Sequence, residues 1–438
     1  MKSLNILFVE WKHFIRSPFK VIALILYIIA SVYGLNNGKN LYEKQTAELA
    51  KINEKAKEQI LQNKAFYKEE NPSPDDRPWV DLSIPDWAIW YTIVYHLKAP
   101  SSALVYSIGQ TEQYGFYKKV TYMSSPYDSD MTKEIANVER LGNNTLDFSF
   151  ALIFLMPLIL IILLYNLQSM EKEQGFIKLI EVQAGGKSKW LLLRCSFYVI
   201  LCLAVTIGLI LYGSILTNVI TKNLSAFIDV ILYSFLYLLL WSILYFILLR
   251  SGNTIIENAL KMAGIWLLAT FIIPASVNQW ISIEKPANLM TDFIDASRDK
   301  KYEIYNQSDS IKMAGLFNLY PEITNSPIIN NPEKVNYAIR ETTIALVNKL
   351  SKEFIKHIET DNNLKNNMIE KSFFFNPISF FQNRFNSICE THYYNYQTYR
   401  NEIQTLIDKQ IHTLVIDTWN DIKIDKERFD KYHEKFSI

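Results

Sequence analysis

The strongest constraint on this chain is a set of nearly charge-free apolar runs of about 20 residues. A helix of that length crosses the roughly 30 Å hydrocarbon layer of a bilayer. The first run, FKVIALILYIIASVYGL, covers residues 19–35, and the second, FSFALIFLMPLILIILLYNL, covers residues 148–167. Three more fall near 191–216, 224–249 and 262–282. Five transmembrane helices are therefore predicted. No small-x-small cleavage site follows the first run, which makes it a span rather than a removed signal peptide. Pro157 and Pro274 lie inside spans, where neighbouring helices can satisfy the carbonyls a proline frees.

Lys and Arg in the short flanking segments set the orientation. The N-terminus carries Lys2, Lys12, Arg16 and Lys20. Lys172, Lys178, Lys187, Lys189 and Arg194 follow the second span, and Arg250 and Lys261 lie between the fourth and fifth. With alternating spans, all of these share one side, which is expected to be the cytoplasm. The predicted organisation is an interfacial helix at 1–18, a span at 19–35 and an extracytoplasmic segment at 36–147. A span at 148–167, a cytoplasmic connection at 168–190, three spans within 191–283 and a second extracytoplasmic segment at 284–438 complete it. The fold class is mainly α, with possible α+β content in the first outside segment.

The net charge of +1 excludes the basic excess of a nucleic-acid binder. Outside the apolar runs, Lys and Glu are interspersed, the pattern of solvated helix surface. Cys195, Cys202 and Cys389 form no CxxC, and the six His are singletons, so no metal site, disulfide framework or bound cofactor is indicated.

Residues 1–18 repeat Leu4, Leu7, Phe8, Trp11, Phe14 and Ile15 at helical spacing, with Glu10, Lys12, His13 and Arg16 at other positions. Such a helix lies flat in a membrane interface until Ser17-Pro18 breaks it. LYEKQTAELAKINEKAKEQILQNKAFYKEE has no Gly or Pro and should extend the first span as a long helix. Strands are expected around SALVYSI and FYKKVTYM. The second outside segment reads as charged-face helices. Within it, FFFNPISFF is either a core turn around Pro377 or a patch that dips into the outer leaflet. HYYNYQTYR reads as aromatic packing or a ligand site. Neither segment holds a catalytic motif, so the chain is not expected to be an enzyme.

Gly185-Gly186-Lys187-Ser188 resembles the end of a phosphate loop, but the first glycine of that motif would fall on Glu181. A carboxylate there repels phosphate, and no strand precedes it. Residues 171–182 read instead as a short amphipathic helix. Phe176, Ile177, Leu179, Ile180 and Val182 oppose Glu171, Lys172, Glu173, Lys178 and Glu181. A helix pinned between two spans can dock on a cytoplasmic partner and pass its motion into them.

Glu171 or Glu173, Gly175, Leu179 and Ile180, with Phe176 in place of a more usual Thr, resemble the coupling region of ABC-transporter permeases of the type-2 exporter superfamily. LGNNTLDFSFALIFLMPLILIILLYNLQSMEKEQG narrows the resemblance to permeases with large extracytoplasmic domains, relatives of gliding-motility and copper-maturation permeases. Gly142, Asp147, Phe148, Pro157, Leu158, Tyr165 and Asn166 carry it. SIGQTEQYGFYKKVT resembles a Gly-Gln-x-Asp stretch of that subfamily, with Glu112 at the Asp position. EWKHFIRSP, with Glu10, Trp11 and Arg16, is similar to its elbow helix. The resemblance covers residues 1 to about 290.

This resemblance implies a multi-pass protein of a bacterial cytoplasmic (inner) membrane that exports a substrate without hydrolysing ATP itself. Mg-ATP would be bound by a separate cytoplasmic ATPase dimer, which would contact residues 171–182 and the link holding Asn253, Glu257 and Asn258. A second permease chain, identical or different, would complete the path. A sixth span is expected after residue 438. Two other functions fit the residues: mechanotransmission to a periplasmic partner, and a membrane-anchored receptor or scaffold without an ATPase.

Overall fold

The computed structural model describes residues 3–68, 72–74, 76–128, 146–168, 171–172, 174–184, 186–251, 254–285 and 290–436. The chain is a mainly α-helical membrane protein. Among the described residues, four helices are long and apolar enough to cross a bilayer: α2 (Pro18–Ala65), α6 (Lys187–Thr217), α7 (Leu224–Ser251) and α8 (Ile255–Glu284). The short amphipathic α1 (Ser3–Ile15) precedes them.

The second predicted span is a shorter helix, α4 (Phe148–Leu164), at the centre of the bundle. Its 17 residues reach about 25 Å. It ends before residue 167 because Tyr165–Gln168 unwinds into a turn whose Leu167 carbonyl is taken by Arg194. Phe148, Ala151, Leu152, Ile153, Met156, Leu160, Leu163 and Leu164 are all buried. Phe154, Leu155, Leu158 and Ile162 are half-buried and Phe150 is exposed, so the helix is covered by protein over most of its surface.

Both span prolines follow a widened π segment, Ala151–Leu155 before Pro157 and Leu268–Ile272 before Pro274. Pro157 offers no N–H to the carbonyl of Ile153, and the Tyr237 hydroxyl on α7 donates to that oxygen instead.

α2 continues unbroken for 48 residues, about 72 Å. Its lower part belongs to the bundle and its upper part to a separate domain. Tyr67, Val80, Leu82, Ile89, Val94 and Val120 share one apolar cluster with Leu316, Ile339, Ile407, Trp419 and Phe429. The two segments outside the bundle are thus built around a common core. The Asn63 side chain donates to Tyr91 O (2.5 Å), Lys64 pairs with Asp430 (2.8 Å), and Ile424 N donates to Ser83 O (2.8 Å).

The first segment adds α3 (Pro85–Tyr91) and two short antiparallel strands, β1 (Tyr95–Leu97) and β2 (Tyr117–Lys119), with His96 opposite Lys118. The strand expected at SALVYSI is a 3-10 turn, Ser102–Val105, wedged between α2 and α6. A Cβ on Gly38 would come 2.7 Å from Val105 Cα, and one on Gly34 would come 2.5 Å from the Asp147 carbonyl carbon. Small residues let backbones meet at this distance, and the site has no room for a paired strand.

The second segment contributes α9 (Met290–Tyr305), α10 (Asp309–Leu319), α11 (Pro332–Thr342), α12 (Ile344–Ser372), α13 (Pro377–Ile388), α14 (Tyr393–Trp419) and α15 (Lys426–Phe436). Tyr393, Tyr396 and Tyr399 of HYYNYQTYR are buried, so this cluster is packing. Tyr393 and two other rings, Tyr114 and Tyr127, lie 5.0–5.3 Å from the buried guanidinium of Arg400.

Candidate functional site

The richest polar cluster inside the bundle lies where α1, the turn after α4 and the start of α6 converge. Arg194 sits seven residues into α6, in otherwise apolar sequence. A cation there must find acceptors, because water is scarce. Its Nε donates to Glu10 on α1, and one Nη1 donates to both Glu171 and the carbonyl of Leu167. Glu10 is 2% exposed and Arg194 8%. The guanidinium also lies 4.7 Å from the Trp190 ring. One side chain therefore joins three stretches of chain. Among the described residues, the second carboxylate oxygen of Glu10 and of Glu171 meets no hydrogen-bond donor.

Neighbouring groups extend the cluster. Lys20, buried on α2, donates to Leu163 O (2.8 Å) and lies over the Tyr198 ring at 4.6 Å. With its amide turned to satisfy both neighbours, Gln168 donates to Leu249 O on α7 (3.0 Å) and accepts from Lys187 Nζ (2.7 Å). Asn258 on α8 donates to Tyr165 O (3.5 Å). α6, α7 and α8 thus each touch the turn that leads out of α4, and α2 holds the last turn of α4 itself.

That turn leads into α5 (Ile177–Ala184). The helix expected at 171–182 is split at Gly175, whose φ of +77° ends a first short turn. Phe176 N donates to Glu171 O (2.9 Å) and Gly175 N to Lys172 O (3.2 Å), the paired bonds of a Schellman stop. After this break α5 runs with two faces. Ile177 and Ile180 pack on the bundle core. Phe176, Leu179 and Val182 point away from it at 54%, 57% and 84% exposure. Gly186, with φ of +124°, then starts α6 at Lys187. Gly186-Lys187-Ser188 is thus a helix start, and Gly185 lies outside the described residues.

The site residues expected from sequence separate into distinct places. Phe176 and Leu179 lie on the exposed face, and Ile180 faces inward. Glu171 holds Arg194 from beneath that face. Glu257 lies on α8, paired with Lys261 (2.6 Å) and hydrogen bonded at its backbone to the Thr254 cap. Glu10, read in sequence as a polar-face residue, is buried because Arg194 lies under α1. Trp11 is exposed on α1, as are Phe8 and Ile15, and Arg16 is exposed just after it. Glu173, Gly142 and Asn253 lie outside the described residues. Arg194 is the functional candidate that sequence reasoning used only as a topology signal.

Asp147 belongs to the opposite end of the bundle. It caps α4, accepting from Phe150 N (2.7 Å), Ile108 N (2.9 Å) and the Ser149 hydroxyl (2.9 Å). Ser107 links this cap to Asn386 on α13 (2.7 Å).

Among the described residues, no group of His, Cys, Asp and Glu is placed to hold a metal ion, and the three cysteines are free and buried. No family model, curated protein or solved structure matches the chain.

Proposed function

We propose that this chain is the membrane subunit of an ABC-type exporter in a bacterial cytoplasmic membrane, with α5 as the element on which a separate ATPase dimer docks. The observation that carries this reading is the two-faced α5. One face is anchored in the bundle, and the other presents Phe176, Leu179 and Val182 to the surroundings. A short exposed apolar face of this kind fits a groove on a partner protein.

The arrangement suggests how force passes. ATP-driven closure of the partner displaces α5, and Glu171 moves with it. Because Glu171 shares Arg194 with Glu10, the displacement reaches α6 and α1 together. A partner shifts the equilibrium only by binding one bundle conformation better than another. Arg194 with two carboxylates can form two alternative pairings, which makes the joint bistable. A second permease chain completes the path, and Mg-ATP stays with the ATPase.

The test is purification of the intact complex from native membranes, with and without the double change Phe176→Ser, Leu179→Ser. The expected result is a stoichiometric nucleotide-binding subunit with the native chain and at least tenfold less with the variant, at equal membrane insertion. An ATPase held equally by both chains sinks the assignment of α5. A native chain that brings down no ATPase favours an anchored receptor or scaffold.

One observation favours a second use of the same machinery. α2 belongs to the membrane bundle and also to the outside core, through Asn63, Lys64 and the adjoining Tyr67. Work done on the bundle could then act on a periplasmic partner rather than move a cargo.

A further inference from the structure

α13 belongs by sequence to the second outside segment, yet it packs inside the membrane bundle. Ile378, Phe381, Phe385 and Cys389 belong to the bundle's apolar cluster. Phe381 meets Tyr237 of α7 edge to face at 4.9 Å, and Phe380 lies 6.4 Å from Tyr233. The helix also touches both π segments, Ala151–Leu155 of α4 and Leu268–Ile272 of α8.

The depth of these contacts follows from the charges on α7. Asp229 and Arg250 bracket a charge-free run of 20 residues, 230–249. At 1.5 Å per residue the run measures about 30 Å, the thickness of a hydrocarbon layer. Tyr233 and Tyr237 lie about 6 and 12 Å below Asp229 on that scale. An independent ruler agrees. The π segment Ala151–Leu155 begins four residues after Asp147, again about 6 to 12 Å below a polar boundary.

The turn between α12 and α13 lies beside this level. Phe373 meets Phe380 at 5.5 Å. Phe374 is 98% exposed and Phe375 53%. On a water-facing turn, two adjacent bare phenylalanines would be an aggregation liability; at this depth their surroundings are acyl chains. Cations flank the turn at the right height. Lys371 is exposed just before it. Arg384, one turn further along α13, is exposed with its guanidinium 5.6 Å from the Phe380 ring. Long cationic side chains above buried aromatic rings reach to headgroup phosphates.

We propose that the α12–α13 hairpin is a lipid-inserted anchor: Phe374 and Phe375 enter the acyl layer of the leaflet facing the outside domain, and Lys371 and Arg384 contact its phosphates. The outside domain is thereby held to the bilayer at a second point, apart from α2. This inference rests on α4 and α7 lying in a membrane and is independent of any ATPase.

The test places a nitroxide on the full chain at Phe374→Cys, in nanodiscs of phosphatidylcholine and phosphatidylglycerol. The three native cysteines are buried, which directs labelling to the new one. Trp79→Cys, at a residue 72% exposed on the outside domain, is the aqueous control. Power saturation then compares collisions with oxygen, which concentrates in lipid, and with a water-soluble nickel chelate. The expected result is an oxygen-to-nickel collision ratio at least fivefold higher at position 374 than at 79. A ratio equal to the control puts the turn in water and overturns the proposal. A label immobilised and reached by neither reagent, or coupled to a second label at short range, gives the turn a protein cover and overturns it equally. Phe375→Cys repeats the measurement if the first variant labels poorly, with the same two outcomes.

Discussion

The two ends of the membrane bundle are held by different chemistry. At the α1 end, one guanidinium is shared between Glu10 and Glu171, and a second carboxylate oxygen on each acid meets no donor. At the opposite end, Asp147 is met by two backbone N–H groups and a hydroxyl, and Gly34 and Gly38 lie directly against crossing backbone. Buried ion pairs are costly to form and strongly destabilising to break, and they tolerate partner exchange. A satisfied cap over close-packed backbone permits one geometry. The contrast sets a joint with spare acceptor atoms at the α1 end against a closed cap at the other.

The largest expected effect comes from Arg194→Met. It leaves Glu10 buried without a cation and should cost about 3–5 kcal/mol in thermal unfolding of the purified chain. If the triple change Arg194→Met, Glu10→Leu, Glu171→Leu is also no more stable than the single one, the joint is not a coupled unit. Asp147→Ala comes next. It removes the α4 cap and strands a buried N–H of Ile108, a loss of about 2–3 kcal/mol. A smaller loss at Asp147 than at an exposed cap such as Asn331 would mean that the far end is not rigid.

A third change calibrates both from outside the bundle. Burial, then the charge of Lys64, pulls His433 on α15 down to about 4, so it is neutral in the fold at pH 7. The unfolded chain takes up a proton below its ordinary value near 6.5, and the folded chain does so only near 4. Stability of the outside domain should therefore fall by about 1–2 kcal/mol as pH drops through that window. His433→Gln should flatten the slope, while the effects at both ends of the bundle stay unchanged. Phe176→Ser with Leu179→Ser should have the smallest effect on unfolding, under about 0.5 kcal/mol, because both side chains are already in solvent. A loss above 2 kcal/mol would show that α5 is structural.

How much of this could be read in the chain varies with the range of the interaction. α6, α7 and α8 are visible because nearly charge-free runs of span length have few other uses. The Gly and Pro punctuation at Gly175, Pro157 and Pro274 is local and equally visible. The joint is not, because Glu10 and Arg194 are 184 positions apart and Glu10 looks like a solvent-facing residue. One clue was present: a single Arg well inside an apolar helix needs a counter-ion. Ser102–Val105 misled because β-branched, apolar composition suits a strand. Its true conformation follows from the close approach of Gly38 to Val105 and of Gly213 to Tyr106, on other elements. The common core of the two outside segments is likewise a property of packing alone.

α2 starts in the apolar core of the bundle and, without a hinge, ends against the outside core, which the adjoining Tyr67 enters. A stiff rod with its foot among the membrane helices and its head in the outside domain cannot lean at one place only. Over its length of about 72 Å, a lean of about 5° at the foot carries the head about 6 Å sideways. Small rearrangements near Lys20 would arrive at Asn63 as displacements wide enough to open or close a cleft.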